Sequence, residues 1–250
     1  MQTARLLARR LHGLLRAEVP GRRTGPVWKL NALTLNRALS YDISVSPPGS
    51  IESHAVELDA LVAGVARECV DPTGADRDDE WEAALRLLRQ PRTRGGLDLT
   101  AAQHAAPYAY LSTAIAALPP QVAAATAHGR DRGAVLAGMR AAGIVAQAEL
   151  AQRRIEEDGV YIDEWGMPRE GAPLGADRGG VLDVADAIAA GVGMYHRRRA
   201  WAEKRADLIL DGLPPDKRAH RWTHGGEEGG LGFTANASPD LSPWLSLIHI

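Results

Sequence analysis

"DRGAVLAGMRAAGIVAQAELAQRRIEE", residues 131–157, is the stretch whose reading decides the fold. It holds no proline, and its larger apolar residues, among them Val135, Met139 and Ile155, recur at the three-and-four spacing of a helix. That spacing predicts one helix from Asp131 to Glu157, about 40 Å long at about 1.5 Å per residue. Gly133, Gly138 and Gly143 lie among many alanines. They lower intrinsic helicity but remove the bulk that holds neighbouring helices apart, so this segment is expected to be the central, closely packed helix.

Helical periodicity extends in both directions from it. Helices are expected from Ser50, as N-cap, to Cys69, from Asp78 to Gln90, and from Leu99 to Leu118. Pro119-Pro120 is expected to start another that ends at His128-Gly129. Beyond Gly159, "VYIDEWGMPRE" (160–170) reads as a small hairpin or turn, 171–180 as a Gly/Pro linker, and Val181 to Leu210 as the last long helix. "ALSYDISVS" (38–46) alternates Leu39, Tyr41, Ile43 and Val45, which favours a short strand ending at Pro47-Pro48-Gly49. The expected fold is mainly α: a bundle-like multi-helix domain with a minor β-hairpin or short strand and a flexible C-terminal tail.

Four regions are expected. Residues 1–26 form a basic amphipathic helix or arm, and residues 27–212 a helical core. Residues 213–244 read as a tail or the truncated start of a further domain, and 245–250 as a non-native end. Those last six, "LSLIHI", back-translate to CTG-TCT-CTT-ATA-CAC-ATC, which matches a transposon end used as a sequencing adapter. The opening "MQTARLLARRLHGLLRAEVPGRR" holds six arginines and no acid before Glu18, with Leu7, Leu11, Leu14 and Leu15 on one face. It reads first as a packing helix with a basic outer face and second as a surface-binding arm.

Composition narrows the function classes. Of 250 residues, 45% are apolar and 24% charged, which is the range of globular proteins. Cys69 is the only cysteine, so a disulfide framework and a Cys-based zinc site are excluded and a reducing, cytoplasmic setting is the simplest. No uninterrupted apolar run reaches the roughly 18 residues of a membrane span. Lysine occurs only at 29, 204 and 217, and phenylalanine only at 233, a bias that points to a GC-rich bacterial genome. Arginine clusters are therefore weak signals of nucleic acid, and the net charge is only -2.

Three constellations carry candidate chemistry. "DRDDEWEAALRLL" (76–88) places Asp78, Asp79 and Glu82 in a DDxxE pattern. In those five residues it resembles the metal-binding motif of class I terpene synthases, which implies Mg²⁺ held against a diphosphate. The second Asn/Ser/Glu motif of that family has no counterpart, and acids at a helix start also complement the dipole. "HRWTHGGEEGG" (220–230) sets His220 and His224 at i, i+4, a spacing that on a helix aims two imidazoles at one metal. Arg221 stands where a zincin has its glutamate, and the glycines favour a tail.

"YHRRRAWAEKRADL" (195–208) sets Trp201 among Arg197, Arg198, Lys204 and Arg205. On a wheel running on from Val184 and Ile188, Trp201 falls outside the buried stripe, so an exposed indole would stack a base while the cations neutralise phosphates. Pairing with Glu203 and Asp207 is the plainer alternative.

"RRIEEDGVYIDE" (153–164) gathers acids at a helix C-terminus, where Arg153 and Arg154 would offset them. Around Asp42, Ser46, Pro48 and Ser50 the chain loosely resembles rolling-circle relaxases, but it has no His-x-His and no Tyr near its start, so that activity is not carried over. No phosphate loop, GxSxG elbow or GxGxxG occurs.

The expectation is thus a bacterial helical protein that works by binding, with nucleic acid or another protein as partner. A metal-dependent enzyme is the alternative, with catalytic residues and cofactor unassigned.

Overall fold

A computed structural model describes residues 1–17, 24–70, 78–90, 96–97, 99–163, 166–169, 183–190 and 198–212. Among them the chain is mainly helical, with one two-stranded hairpin. It divides into two compact units. One comprises Met1–Ser40, Ser53–Ala102 and Leu210–Ile250, and the other Tyr41–Glu52 and Gln103–Ile209.

The first unit opens with α1 (Gln2–Arg16) and α2 (Thr24–Leu33), which pack on each other and on a 3-10 turn, Leu35–Arg37. Narrow α1 contacts come from Ala4, Ala8 and Leu11, spaced four and three apart and buried. The expected strand at 38–46 is instead helical: after the 3-10 turn comes α3 (Asp42–Val45). Leu39 and Ile43 are buried and four apart, while Tyr41 and Val45 are exposed, so burial follows a helical period and the alternation of residue types was misleading.

α4 (Pro48–Val70) starts at Pro48 rather than after Ser50. Proline suits the first helical position, and the Ser50 hydroxyl donates to the Pro47 carbonyl at 2.8 Å. Within the first unit α4 contributes Leu58, Val62, Val65 and Cys69 to the core, and the Val62 carbonyl accepts from Asn31 Nδ2 at 3.1 Å. Burial and the nearby Glu68 charge push the Cys69 thiol up to about 12, so it behaves as a small hydrophobe. α5 (Asp78–Leu88) buries Trp81, Ala84, Leu85 and Leu88, and the Arg67 guanidinium lies 5.8 Å from the Trp81 ring centre. Gly96 is fixed by space, because a Cβ there would overlap the Gln90 carbonyl. Buried Asp59 accepts from the Ala102 amide at 2.6 Å, capping the next helix from a distant element.

That helix, α6 (Ala102–Ala127), runs unbroken through Pro107, Pro119 and Pro120, against the expected break at 119–120. Leu111, Ile115, Leu118 and Val122 are all buried at four, three and four spacing. Continuous packing of that stripe outweighs the lost amide donors.

The expected long helix is two: α7 (Arg132–Ala141) and α8 (Ile144–Glu157), bent by 65° at the break between them. Gly143 adopts φ 75°, a left-handed conformation that side chains disfavour. α7 buries no residue, and a Cβ at Gly138 would meet nothing within 4 Å, so its glycines are not there for close approach. The closely packed helix is α8, through Val145, Ala148, Ala151 and Ile155. It ends in a Schellman turn, with the Val160 amide on the Ile155 carbonyl and Gly159 at φ 80°.

The expected hairpin follows. Strands β1 (Tyr161–Ile162) and β2 (Pro168–Arg169) pair antiparallel, Tyr161 opposite Arg169. Asp163 Oδ1 accepts from the Met167 amide across the turn. The last expected helix is described as α9 (Val184–Ala190) and α10 (Arg198–Asp211). Leu111, Ile115, Ile155, Ile162, Ile188 and Trp201 are central in this unit's core. Among the described residues no single helix is long and apolar enough to cross a membrane. The bent pair α7–α8 passes such a test only jointly, and α8's apolar face is already buried in the core.

Candidate functional site

Trp201 sits at the centre of its unit. It is 0% exposed, and its indole Nε1 donates to the Gly166 carbonyl at 2.8 Å. The expectation of an exposed, base-stacking Trp201 is therefore corrected. Its polar edge finds an acceptor in the hairpin turn, so the whole ring can be buried.

Arg205 likewise turns inward, donating from Nε to Asp158 Oδ2 at 2.8 Å. The same oxygen accepts from the buried Tyr108 hydroxyl at 3.2 Å, and His104 Nδ1 lies 3.8 Å from Asp158 Oδ1. Burial, with the adjoining Asp158 charge, raises the Tyr108 hydroxyl well above its ordinary range. This cluster ties α6, the end of α8 and α10 together.

Lys204 is half-buried, Arg198 begins α10 with its side chain outside the described residues, and Arg197 lies outside them. Some of the acids around 156–163 are engaged locally as well, Asp163 by the Met167 amide. Gln152 donates to Glu156 at 3.0 Å, and Arg154 pairs with Glu52 at 3.0 Å rather than with the acids following it.

The carboxylate constellation lies at a helix start. Asp78 and Asp79 open α5, their side chains outside the described residues, and Glu82 is exposed on a helix whose buried residues Trp81, Ala84, Leu85 and Leu88 are apolar. His220 and His224 lie outside the described residues, as do 213–250 altogether. Among the described residues no group of three or more His, Cys, Asp or Glu is placed to hold a metal ion.

Among the described residues, a second concentration of charged and exposed apolar side chains is on α1 and α2. One edge of α1 is clasped to α4. Arg5 binds Glu57 through both Nε and Nη2, the latter at 2.8 Å, while Arg16 Nε, at 2.8 Å, and His12 converge on Glu68. A Cβ at Gly64 would meet the His12 ring at 3.9 Å, an ordinary van der Waals contact. The hydrogen bond from Arg5 holds the Glu57 carboxyl below its ordinary value. For Glu68, burial pushes upward, but the hydrogen bonds and charges of Arg16 and His12 together outweigh it and hold the carboxyl down.

Beyond this edge, α1 presents Leu6 at 50% and Leu14 at 36% exposure, with Arg9 and Arg10 exposed three and four residues after Leu6. Neither arginine has an ion-pair partner among the described residues. α2 presents Leu30 and Leu33, 42% and 57% exposed and one turn apart, beside exposed Lys29. Residues 1–41 carry Arg5, Arg9, Arg10, Arg16, Arg22, Arg23, Lys29 and Arg37 against the single acid Glu18, although the whole chain is net negative.

The sequence signalled the arginines of α1. The clasping glutamates and the outward Leu30 and Leu33 required a partner helix and a burial map. No family model matches the chain, and no curated protein or solved structure is significantly similar to it.

Proposed function

We propose that the chain is a helical binding protein that engages an anionic partner through the outer faces of α1 and α2. The observation that carries this is the exposed pair Arg9 and Arg10 on a helix with no acid, which is clasped to α4 through Arg5, His12 and Arg16. Two clasped carboxylates and a buried Ala/Leu stripe fix the helix, so little ordering entropy opposes binding. The net charge of -2 means that attraction is local to this face and not a property of the chain as a whole.

A bacterial, cytoplasmic setting is part of the proposal, on the arginine bias and the single cysteine. The nucleic-acid reading of α10 is not retained, since Trp201 offers no free ring face and Arg205 is held by Asp158. The carboxylate version of the enzyme reading is not favoured, because Glu82 is exposed on a helix whose buried residues are apolar, while His220 and His224 lie outside the described residues.

The test is retention of the full chain on immobilised heparin under a salt gradient. The double variant Arg9→Gln/Arg10→Gln should elute at clearly lower salt than Arg130→Gln/Arg140→Gln, which removes the same charge from exposed positions elsewhere. Equal shifts for the two variants would reduce the effect to net charge and remove the proposed face.

A further inference from the structure

The outer faces of α1 and α2 combine two properties that a nucleic-acid phosphate backbone does not both use. Cations there are exposed, and so are large apolar side chains. Leu6, Leu14, Leu30 and Leu33 stand between 36% and 57% exposed in two helices that pack on each other. On α1, Arg9 and Arg10 follow Leu6 at i+3 and i+4, and Leu14 follows Arg10 at i+4, so cation and leucine share the outer face. On α2, Leu30 and Leu33 project from the side opposite buried Val27, Asn31 and Trp28, with Lys29 next to them. Phosphates reward the cations alone. A headgroup layer over hydrocarbon rewards both, because arginines bind lipid phosphates while leucines reach the acyl boundary.

We infer that the anionic partner is a membrane surface rich in anionic lipid, on which the folded chain rests through α1 and α2. This deepens the reading of the α1–α2 face and rests on it. It requires no membrane span, since the helices lie along the surface with their inner sides still packed on the protein. Burial of Ala4, Ala8 and Leu11 within the unit is retained on binding. The leucines that enter the lipid are those the fold leaves uncovered.

The experiment is co-sedimentation of the full chain with phosphatidylglycerol vesicles and with phosphatidylcholine vesicles, run beside a duplex DNA binding assay. The expected result is capture by phosphatidylglycerol vesicles and not by phosphatidylcholine. Arg9→Gln/Arg10→Gln should weaken capture roughly 30-fold. Leu30→Ser/Leu33→Ser should weaken it at least about tenfold while leaving heparin retention unchanged. Leu6→Ser supplies a second apolar variant if the pair does not fold as judged by circular dichroism.

Heparin retention without vesicle capture overturns the membrane inference and leaves the binding face standing. Loss of both removes both. Vesicle capture that is indifferent to the leucines, or DNA binding that depends on Arg9 and Arg10 without vesicle capture, also overturns it.

Discussion

Asp158 accepts from side chains of two other helices in the second unit, Tyr108 on α6 and Arg205 on α10. It follows the last turn of α8, where a negative charge opposes the helix dipole, and Arg205 at 2.8 Å offsets that cost. The buried Tyr108 hydroxyl depends on the same carboxylate oxygen. Asp158→Ala leaves that hydroxyl without its acceptor and is expected to cost about 1–3 kcal/mol in denaturant unfolding. A change below about 0.5 kcal/mol would show that water replaces the carboxylate at no cost.

This residue also shows what was legible at its scale. The acid cluster and the cations of 197–205 were both visible in the chain, but not that Asp158 and Arg205, 47 residues apart, take each other. Trp201 was misplaced for a related reason. A wheel fixes which residues share a face but not which way the face turns, and the deciding acceptor, Gly166, sits in a hairpin 35 residues away.

Among the elements, the break between α7 and α8 separates two roles of glycine that look identical in sequence. Gly143 is needed for its positive φ, so Gly143→Ala should destabilise by about 1–2 kcal/mol. Gly138 is itself exposed within α7, with nothing near its missing Cβ, so Gly138→Ala should stabilise by about 0.4–1 kcal/mol. Thermal unfolding of the two variants checks both signs, and destabilisation by both would mean that α7 is more closely packed than described.

The clasp of α1 on α4 makes a pH prediction. Glu57 and Glu68 are held below the ordinary carboxylate value of 4.5 when folded. A depressed folded pKa stabilises the clasp above 4.5, and that contribution is lost only as pH falls through the lower folded values. Proteolytic sensitivity of α1 should therefore stay flat on descending to pH 4.5 and rise below it. A rise already between pH 7 and 5 would show that these two carboxylates do not govern the clasp.

For the whole molecule, the helical class and the hairpin at 160–169 could be read because period and turn residues are local properties. Pro119 and Pro120 misled because tolerance of proline depends on the stripe from Leu111 to Val122 being buried throughout, which is a tertiary fact. The division into two units was equally hidden, since each is assembled from chain segments far apart in sequence. The proposed face was half legible: the arginines of the first 23 residues were evident, and the leucines that accompany them emerge only once Ala4, Ala8 and Leu11 are known to take the inward side.

Hydrogen exchange of the full chain with and without heparin tests that face most directly. Slowed exchange confined to residues 2–16 and 24–33 is the expected result. Protection centred on 198–211, with the first 33 residues unchanged, would contradict it.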